Sequence, residues 1–465
     1  MIEMSVAAIA TSISGQLIVG KPENLVNGSA ETDSREVKQG SIFFAKVGAN
    51  DDGHNHVADA KSRGAVLAVV QRMVPEVDIA QILVTDSVAA LSELAKHVLA
   101  EVRSLGNLEV VGITGSNGKT STKNMLREVL SQVGKTIAPR DSFNNEVGLP
   151  VTVCRLESDT KYLVLELGAA GLGSIDQLAS WTTPDIGVEL KVGMAHAGVF
   201  GGIQTTALIK AELMPHIRRC AVLNLDDPYV SAMRPSQGVT TVGFGVSEDA
   251  GYQIIETEIT LSGTRVTLQF PDSEVRSLNL RILGEHQAMN VAAALAVLDQ
   301  LGVSRELSCS TIEQMEMAER WRMQLNKRPD GVFVINDAYN ASPDSMRAAL
   351  QTLATIGRQG HRTIAVLGEM AELGEYSVAE HDQLGRLVVR YNIDQLFVIG
   401  EGAKLIHMGA TQEGSWGGES TFIPTISEAF EQVNGKLSAG DVVLVKSSNS
   451  ANLRFLGDEL AEAKS

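Results

Sequence analysis

A chain of 465 residues is longer than one ordinary core requires, and 44% hydrophobic residues is an ordinary globular content, so several domains are expected. A formal net charge of −17 argues against nucleic acid or an anionic membrane as the main partner, and gives weight to any lysine or arginine placed where a phosphate would sit. Cys154, Cys220 and Cys309 form no C-x-x-C pair; they read as reduced core thiols of a cytoplasmic protein, not as a disulfide framework or a zinc site.

The chain opens without a basic segment followed by an apolar one, and no apolar run is long enough for a bilayer, so neither a signal peptide nor membrane insertion is expected. In the first region, residues 1–106, two polar turns flank the strand Ser41–Ala45. They are Thr32-Asp33-Ser34-Arg35 and Asp51-Asp52-Gly53-His54. A helical stretch then runs from Ser87 to Leu105.

The second region, residues 107–318, begins with the strand Leu108–Thr114. The strand runs into Gly115-Ser116-Asn117-Gly118-Lys119-Thr120-Ser121 and then a helical pattern to Leu130. Strand, glycine turn and helix in that order suit a phosphate-binding loop, although Ile113 stands where the usual motif has its first glycine. Backbone N–H groups and the helix N-terminus close on an anion, Lys119 neutralises β/γ-phosphates, and Thr120 offers a hydroxyl to Mg²⁺. Apolar strands follow at Tyr162–Leu167, Ile186–Val192, Ala221–Leu225 and Thr240–Phe244 with helices between them, which predicts a mainly parallel sheet in an α/β protein.

Glu166 ends one of these strands, as a solvated carboxylate or a Mg²⁺ ligand. His196 lies in the glycine-flanked loop after another, open to a structural or a metal-binding role. Lys210 sits in the helical pattern Thr205–Leu213, either solvated or buried and able to lose its proton and form a carbamate. A hairpin is expected at Leu261–Val266 and an alanine-rich helix at Gln287–Leu301.

The third region, residues 319–465, alternates again: strand Val332–Asn336, helix Ser345–Leu353, strand Thr363–Leu367, helix Val378–Tyr391, and strands Gln395–Ile399 and Val442–Val445. Glu413–Gly418 reads as a glycine-rich surface loop. At the region's start, Arg320 and Arg322 flank Trp321, and Asp337-Ala338-Tyr339-Asn340-Ala341-Ser342-Pro343 follows a strand. These segments read either as a boundary ion pair and a turn, or as a clamp on a bound nucleotide.

Taken together, these residues resemble the Mur ligase family, the ATP-dependent amide-forming enzymes of peptidoglycan synthesis. The phosphate loop, Glu166-Leu167-Gly168, Ala195-His196 with Phe200-Gly201, Lys210 and Glu212, His286 to Asn290, and Arg320 fall in family order. Asp337–Met346 and Gly368–Gly374 look like the members that add a D-alanyl-D-alanine dipeptide to a UDP-N-acetylmuramoyl-tripeptide.

The resemblance implies three α/β domains: a UDP-sugar-binding domain at 1–106, a central ATP-binding parallel sheet at 107–318 and a Rossmann-like ligase domain at 319–465. It implies ATP, two Mg²⁺ ions and a carbamylated Lys210. Thr120, Glu166, His196 and Lys210 would serve the metals, and Asn290, Arg320 and Asp337 would contact adenine, phosphates and ribose. Ser34, Arg35 and the Asp52-Gly53-His54 turn would lie near the UDP-sugar, and Asn340 and Lys446 near the dipeptide. A monomer without nucleic-acid partners is expected. Three positions depart from the family pattern: Lys191 stands where an asparagine is common, Gln287 where an asparagine often follows the histidine, and Lys446-Ser447-Ser448-Asn449 where Lys-Gly-Ser-Arg is commoner.

Overall fold

Strands covered on both faces set the architecture. In Thr363–Leu367, Ile364 and Val366 enter one apolar cluster while Ala365 and Leu367 enter the cluster on the opposite face. Successive side chains point to opposite faces, so a strand with two covered faces reads as an unbroken apolar run. A computed structural model describes every residue except 49, 141–142, 196, 317–319, 415–418 and 464–465. The fold is α/β, as expected, and its contacts gather into two compact units.

The first unit comprises Met1–Ile113, Leu130–Gly187 and Pro215–Arg219. Its five-stranded sheet has the order Gln16–Val19, Ala80–Leu83, Leu67–Val70, Ile42–Phe44, Ala30–Glu31, antiparallel at the first pair and parallel elsewhere. Phe43, Ala68, Val57 and Ala60 share one of its cores. The helix Ser87–Ser104 is capped by Asp86, whose carboxylate accepts the N–H groups of Val88 at 2.7 Å and Ala89 at 3.1 Å. Its buried stripe, Leu91, Leu94, Ala95, Val98 and Val102, follows helical spacing. Arg103 in its last turn donates to the Thr183 hydroxyl at 2.5 Å and the Thr183 carbonyl at 2.7 Å. The strands Glu109–Thr114 and Tyr162–Glu166 pair in parallel, Val110 against Leu163 and Ile113 against Glu166.

The second unit comprises Thr114–Val129, Val188–Met214 and Cys220–Ser465. Cys220–Asn224 and Thr240–Gly245 pair in parallel. The hairpin expected at Leu261–Val266 is one link of a longer antiparallel meander, Tyr252–Thr260, Gly263–Gln269 and Val275–Leu280. Gly263 has φ +136°, and a Cβ there would run into the Leu280 carbonyl. The alanine-rich helix is His286–Gln300, with Val291–Leu298 all buried.

The C-terminal sheet of this unit has the order Gln324–Lys327, Phe333–Asn336, Val442–Lys446, Thr363–Leu367, Gln395–Ile399, Glu419–Ile423. Only the first pair is antiparallel. Three adjacent strands therefore end on one edge, and the loops after Asn336, Leu367 and Lys446 emerge there together, the usual ligand side of such a sheet.

Candidate active site

The expected phosphate loop follows the strand Glu109–Thr114. Gly115 has φ +143° and Gly118 φ +88°, conformations that side chains resist. The helix Lys119–Leu130 starts at Lys119, one residue past the second glycine, so its N-terminal N–H groups face the loop. Lys119 folds back and donates to the Gly115 carbonyl at 2.5 Å. Thr120 and Ser121 are buried at the first turn. Behind the loop, Leu190 lies against Gly115 and Gly118, and the Asn290 side-chain oxygen lies where a Cβ on Gly118 would go. Gln287 accepts from the Asn290 amide at 3.0 Å and so orients it.

Lys210, on the helix Ile203–Ala211, is buried, and its ammonium lies 3.3 Å from the Thr114 hydroxyl. Glu189, which sequence reading passed over, is wholly buried on the strand Ile186–Glu189, and neither of its carboxylate oxygens has a hydrogen-bond partner among the described residues. Burial pushes the Lys210 amine down, helped by Lys119 and opposed by Glu189. Burial pushes the Glu189 carboxyl up, opposed by Lys210 and Lys119. An amine held towards its neutral form is a nucleophile towards carbon dioxide, and buried oxygen donors suit a hard cation. Among the described residues no three His, Cys, Asp or Glu side chains converge on one point. Thr120 and Lys210 are the described residues of this unit, among those expected at the metals, whose chemistry suits magnesium, Lys210 once carbamylated.

The residues expected at the nucleotide lie in the loops at the C-terminal sheet edge and at the start of the helix His286–Gln300. Asp337 and Lys446 were expected to face ribose and dipeptide, but the structure pairs them. The Lys446 ammonium is buried and donates to Asp337 Oδ2 at 2.6 Å, the Asn340 carbonyl at 3.0 Å and the Asp337 carbonyl at 3.3 Å. All three of its donors are thus used inside the protein. Asp337 Oδ1 also accepts the Met323 N–H at 3.0 Å. The two arginines separate as well. Arg320 is exposed, stacks over Trp321 and pairs with Asp458 at 2.9 Å. Arg322 stacks over Tyr339 at 4.4 Å, its Nε is buried without a partner among the described residues, and it adds positive potential at His286. Of the two arginines, Arg322 is the one whose charge acts on His286.

Burial holds the His286 imidazole down, from 6.5 to about 4. The folded state keeps this ring neutral while the unfolded chain protonates it, so stability is full above pH 6.5 and falls as pH drops towards 4. The group contributes a loss of about 3 kcal/mol across that window. His286→Gln is expected to lose correspondingly less unfolding free energy than the wild type between pH 7 and pH 4.5 in urea titrations; equal losses would refute the assignment.

In the first unit, Glu166 is buried at the end of its strand, opposite the last apolar residue before the phosphate-loop segment. Gly168 N–H donates to the Asn144 carbonyl at 2.8 Å, and Asn144, Gly168, Ser174 and Gln177 line a small concavity. The Asp52-Gly53-His54 turn is internally satisfied. Asp52 caps the turn Gly53–His56, and His54 accepts the Gln71 N–H on Nε2 at 2.9 Å, so its Nδ1 proton goes to Asp52 at 2.6 Å. His54 and Arg72 hold the Asp52 carboxyl well below the usual range. Ser34 is buried, and Arg35 is exposed and bonded to Asp33 at 2.6 Å. His196 lies outside the described residues.

Three family models match the chain in sequence: the Mur ligase family catalytic domain over residues 29–98, the Mur ligase middle domain over 113–298 and the Mur ligase glutamate ligase domain over 321–449. A UDP-N-acetylmuramoyl-tripeptide–D-alanyl-D-alanine ligase from Mycobacterium tuberculosis is 41% identical across 99% of this chain and 98% of its own length. The Bacillus subtilis enzyme of that name is 32% identical across 100% of this chain and 99% of its own. The crystal structure of MurF from Acinetobacter baumannii superposes with a TM-score of 0.87 at 29% identity, covering 99% of both chains. MurF from Thermotoga maritima in complex with ADP superposes at 0.79 and 27% identity over 93% of this chain and 98% of its own. The chain belongs to the Mur ligase family.

Proposed function

We propose that this protein is an ATP-dependent ligase that joins D-alanyl-D-alanine to UDP-N-acetylmuramoyl-tripeptide, giving the pentapeptide precursor of peptidoglycan, ADP and phosphate. The observation that carries this reading is end-to-end similarity to D-alanyl-D-alanine ligases of that kind, in a chain whose phosphate loop opens onto Lys119 and Thr120. Three domains at 1–106, 107–318 and 319–465 are proposed for the UDP-sugar, for ATP and for the dipeptide, in line with the three matched segments.

The terminal carboxylate of the tripeptide attacks the γ-phosphorus of ATP; the P–O bond to ADP breaks and an acyl phosphate forms. Lys119 and Arg322 spread the charge that develops on the transferring oxygens; Arg322 takes the role that the sequence suggested for Arg320. The loop N–H groups of 115–118 and the start of the helix Lys119–Leu130 hold the remaining phosphates, and Ser121 completes the first turn. Asn290 borders this loop as the adenine-side amide, and Asp337, fixed by Lys446, presents its remaining acceptor capacity to the ribose. The dipeptide's free amine then attacks the acyl carbon, the tetrahedral intermediate expels phosphate, and the amine gives up its proton. Water must be kept out while the acyl phosphate survives.

Thr120, Glu166, His196 and Lys210 as a carbamate are proposed to hold two Mg²⁺ ions, which supply charge neutralisation at phosphate oxygens when bound. Carbamate formation needs the neutral Lys210 amine: its lone pair bonds to carbon dioxide and one proton leaves. Ser34 and Arg35 are proposed at the UDP-sugar, with Asp52-Gly53-His54 shaping the adjoining turn, and Asn340 at the dipeptide. Lys446 acts there by positioning Asp337 and Asn340. A cytoplasmic monomer without nucleic-acid partners is proposed; among the described residues no helix is long and apolar enough to cross a membrane.

The acyl-phosphate step is tested with ¹⁸O in the tripeptide's terminal carboxylate. One label is expected in the released phosphate. Label retained wholly in the peptide product would exclude this route.

A further inference from the structure

We propose that Lys191 is a second phosphate-binding cation of this enzyme, held by Asp344 until the polyphosphate of the nucleotide draws its ammonium away. The inference rests on the ATP-dependent reading above and assigns a residue that departs from the family pattern. Position comes first. The Lys191 carbonyl accepts the Ser116 N–H at 2.7 Å, and the next loop residue but one, Gly193, donates its N–H to the Ser116 hydroxyl at 2.9 Å. The backbone at 191 is therefore one wall of the phosphate loop, and its side chain starts at the loop's lip. Leu190 points into the space behind Gly115, so Lys191 turns the other way, as alternate residues of an extended segment do.

Its present partner is a weak one. The ammonium lies 3.6 Å from Asp344 Oδ1, beyond hydrogen-bond distance, and the lysine side chain is 46% exposed. A half-exposed pair of this kind stabilises little, so it yields to a stronger anion. Asp344 does not need the lysine. It lies in the first turn of the helix Pro343–Gly357, and its other oxygen accepts the Met194 N–H at 2.8 Å. That contact persists when the lysine moves.

The surrounding field points the same way. Asp337, Lys446, Arg322 and Lys191 all act on the buried His286 ring, and Lys446 is neutralised by Asp337. Arg322 and Lys191 add positive charge at His286, in a chain whose net charge is −17. A polyphosphate supplies the multiple negative charges that such a pair attracts, and a flexible four-carbon stem lets the ammonium follow them.

The test compares binding of Mg·ATP, ADP and adenosine to the full-length wild type and to Lys191→Asn, Lys191→Met and Lys191→Arg, by calorimetry at two salt concentrations. Lys191→Asn and Lys191→Met are expected to weaken Mg·ATP about tenfold, with a shallower salt dependence, to leave adenosine unchanged, and to unfold at the wild-type temperature. Lys191→Arg is expected to keep most of the affinity. Equal Mg·ATP affinity in the wild type and Lys191→Asn, or an equal loss for all three ligands, would overturn the proposal. Failure of the wild type itself to bind Mg·ATP would overturn the nucleotide reading on which it rests.

Discussion

Lys119→Ala is expected to lower the ligation rate at least about a thousandfold while leaving the thermal unfolding transition in place. The lysine opens the phosphate-loop helix, and its ammonium folds onto the loop's own Gly115 carbonyl. No apolar core depends on it. Bound nucleotide would exchange that carbonyl for phosphate oxygens, where a charge-assisted contact strengthens as the γ-phosphoryl group leaves. Removing it therefore costs mainly in the transition state, and kcat should fall more than ADP affinity does. Phosphate release and product formation measured side by side with a melting curve check this. Near-wild-type turnover in the folded variant would remove the loop from the mechanism.

Lys210→Ala is expected to be equally inactive, for a different reason. The wild type incubated with ¹³C-bicarbonate should show a carbamate carbon signal that the variant lacks. Short carboxylic acids should restore part of the activity by replacing the missing anion. A fully active Lys210→Ala enzyme, or a carbamate signal that survives in it, would refute the assignment.

The parts of this fold that the sequence disclosed are those whose physics is local. Strands Thr363–Leu367 and Gln395–Ile399 stand where their apolar runs predicted, because both faces of each are covered. The edge strands Gln324–Lys327 and Glu419–Ile423 escaped notice, since they are half-exposed and polar and owe their form to one neighbour. The strand, glycine turn and helix around Lys119 were legible because their signals lie within one short stretch of chain.

The rest of the site depended on distant partners. Glu189 is a single polar residue inside an apolar strand, and only the arrival of Lys210 and Lys119 beside it gives it meaning. Arg320 and Arg322 flank one tryptophan, but Trp321 and Met323 both adopt positive φ, at 60° and 48°. Neither helical nor strand periodicity then says which arginine's charge acts on His286. The pairing of Lys446 with Asp337 joins residues 109 positions apart, which no local pattern announces.

The direct test of the whole account is a coupling assay with a matched series of UDP-N-acetylmuramoyl peptides, offering D-alanyl-D-alanine, D-alanine and the amino acids used by other ligases of the family as competing acceptors. The account predicts ATP-dependent formation of the pentapeptide product with D-alanyl-D-alanine, and little or none with any single amino acid. Faster coupling of a single amino acid would contradict it.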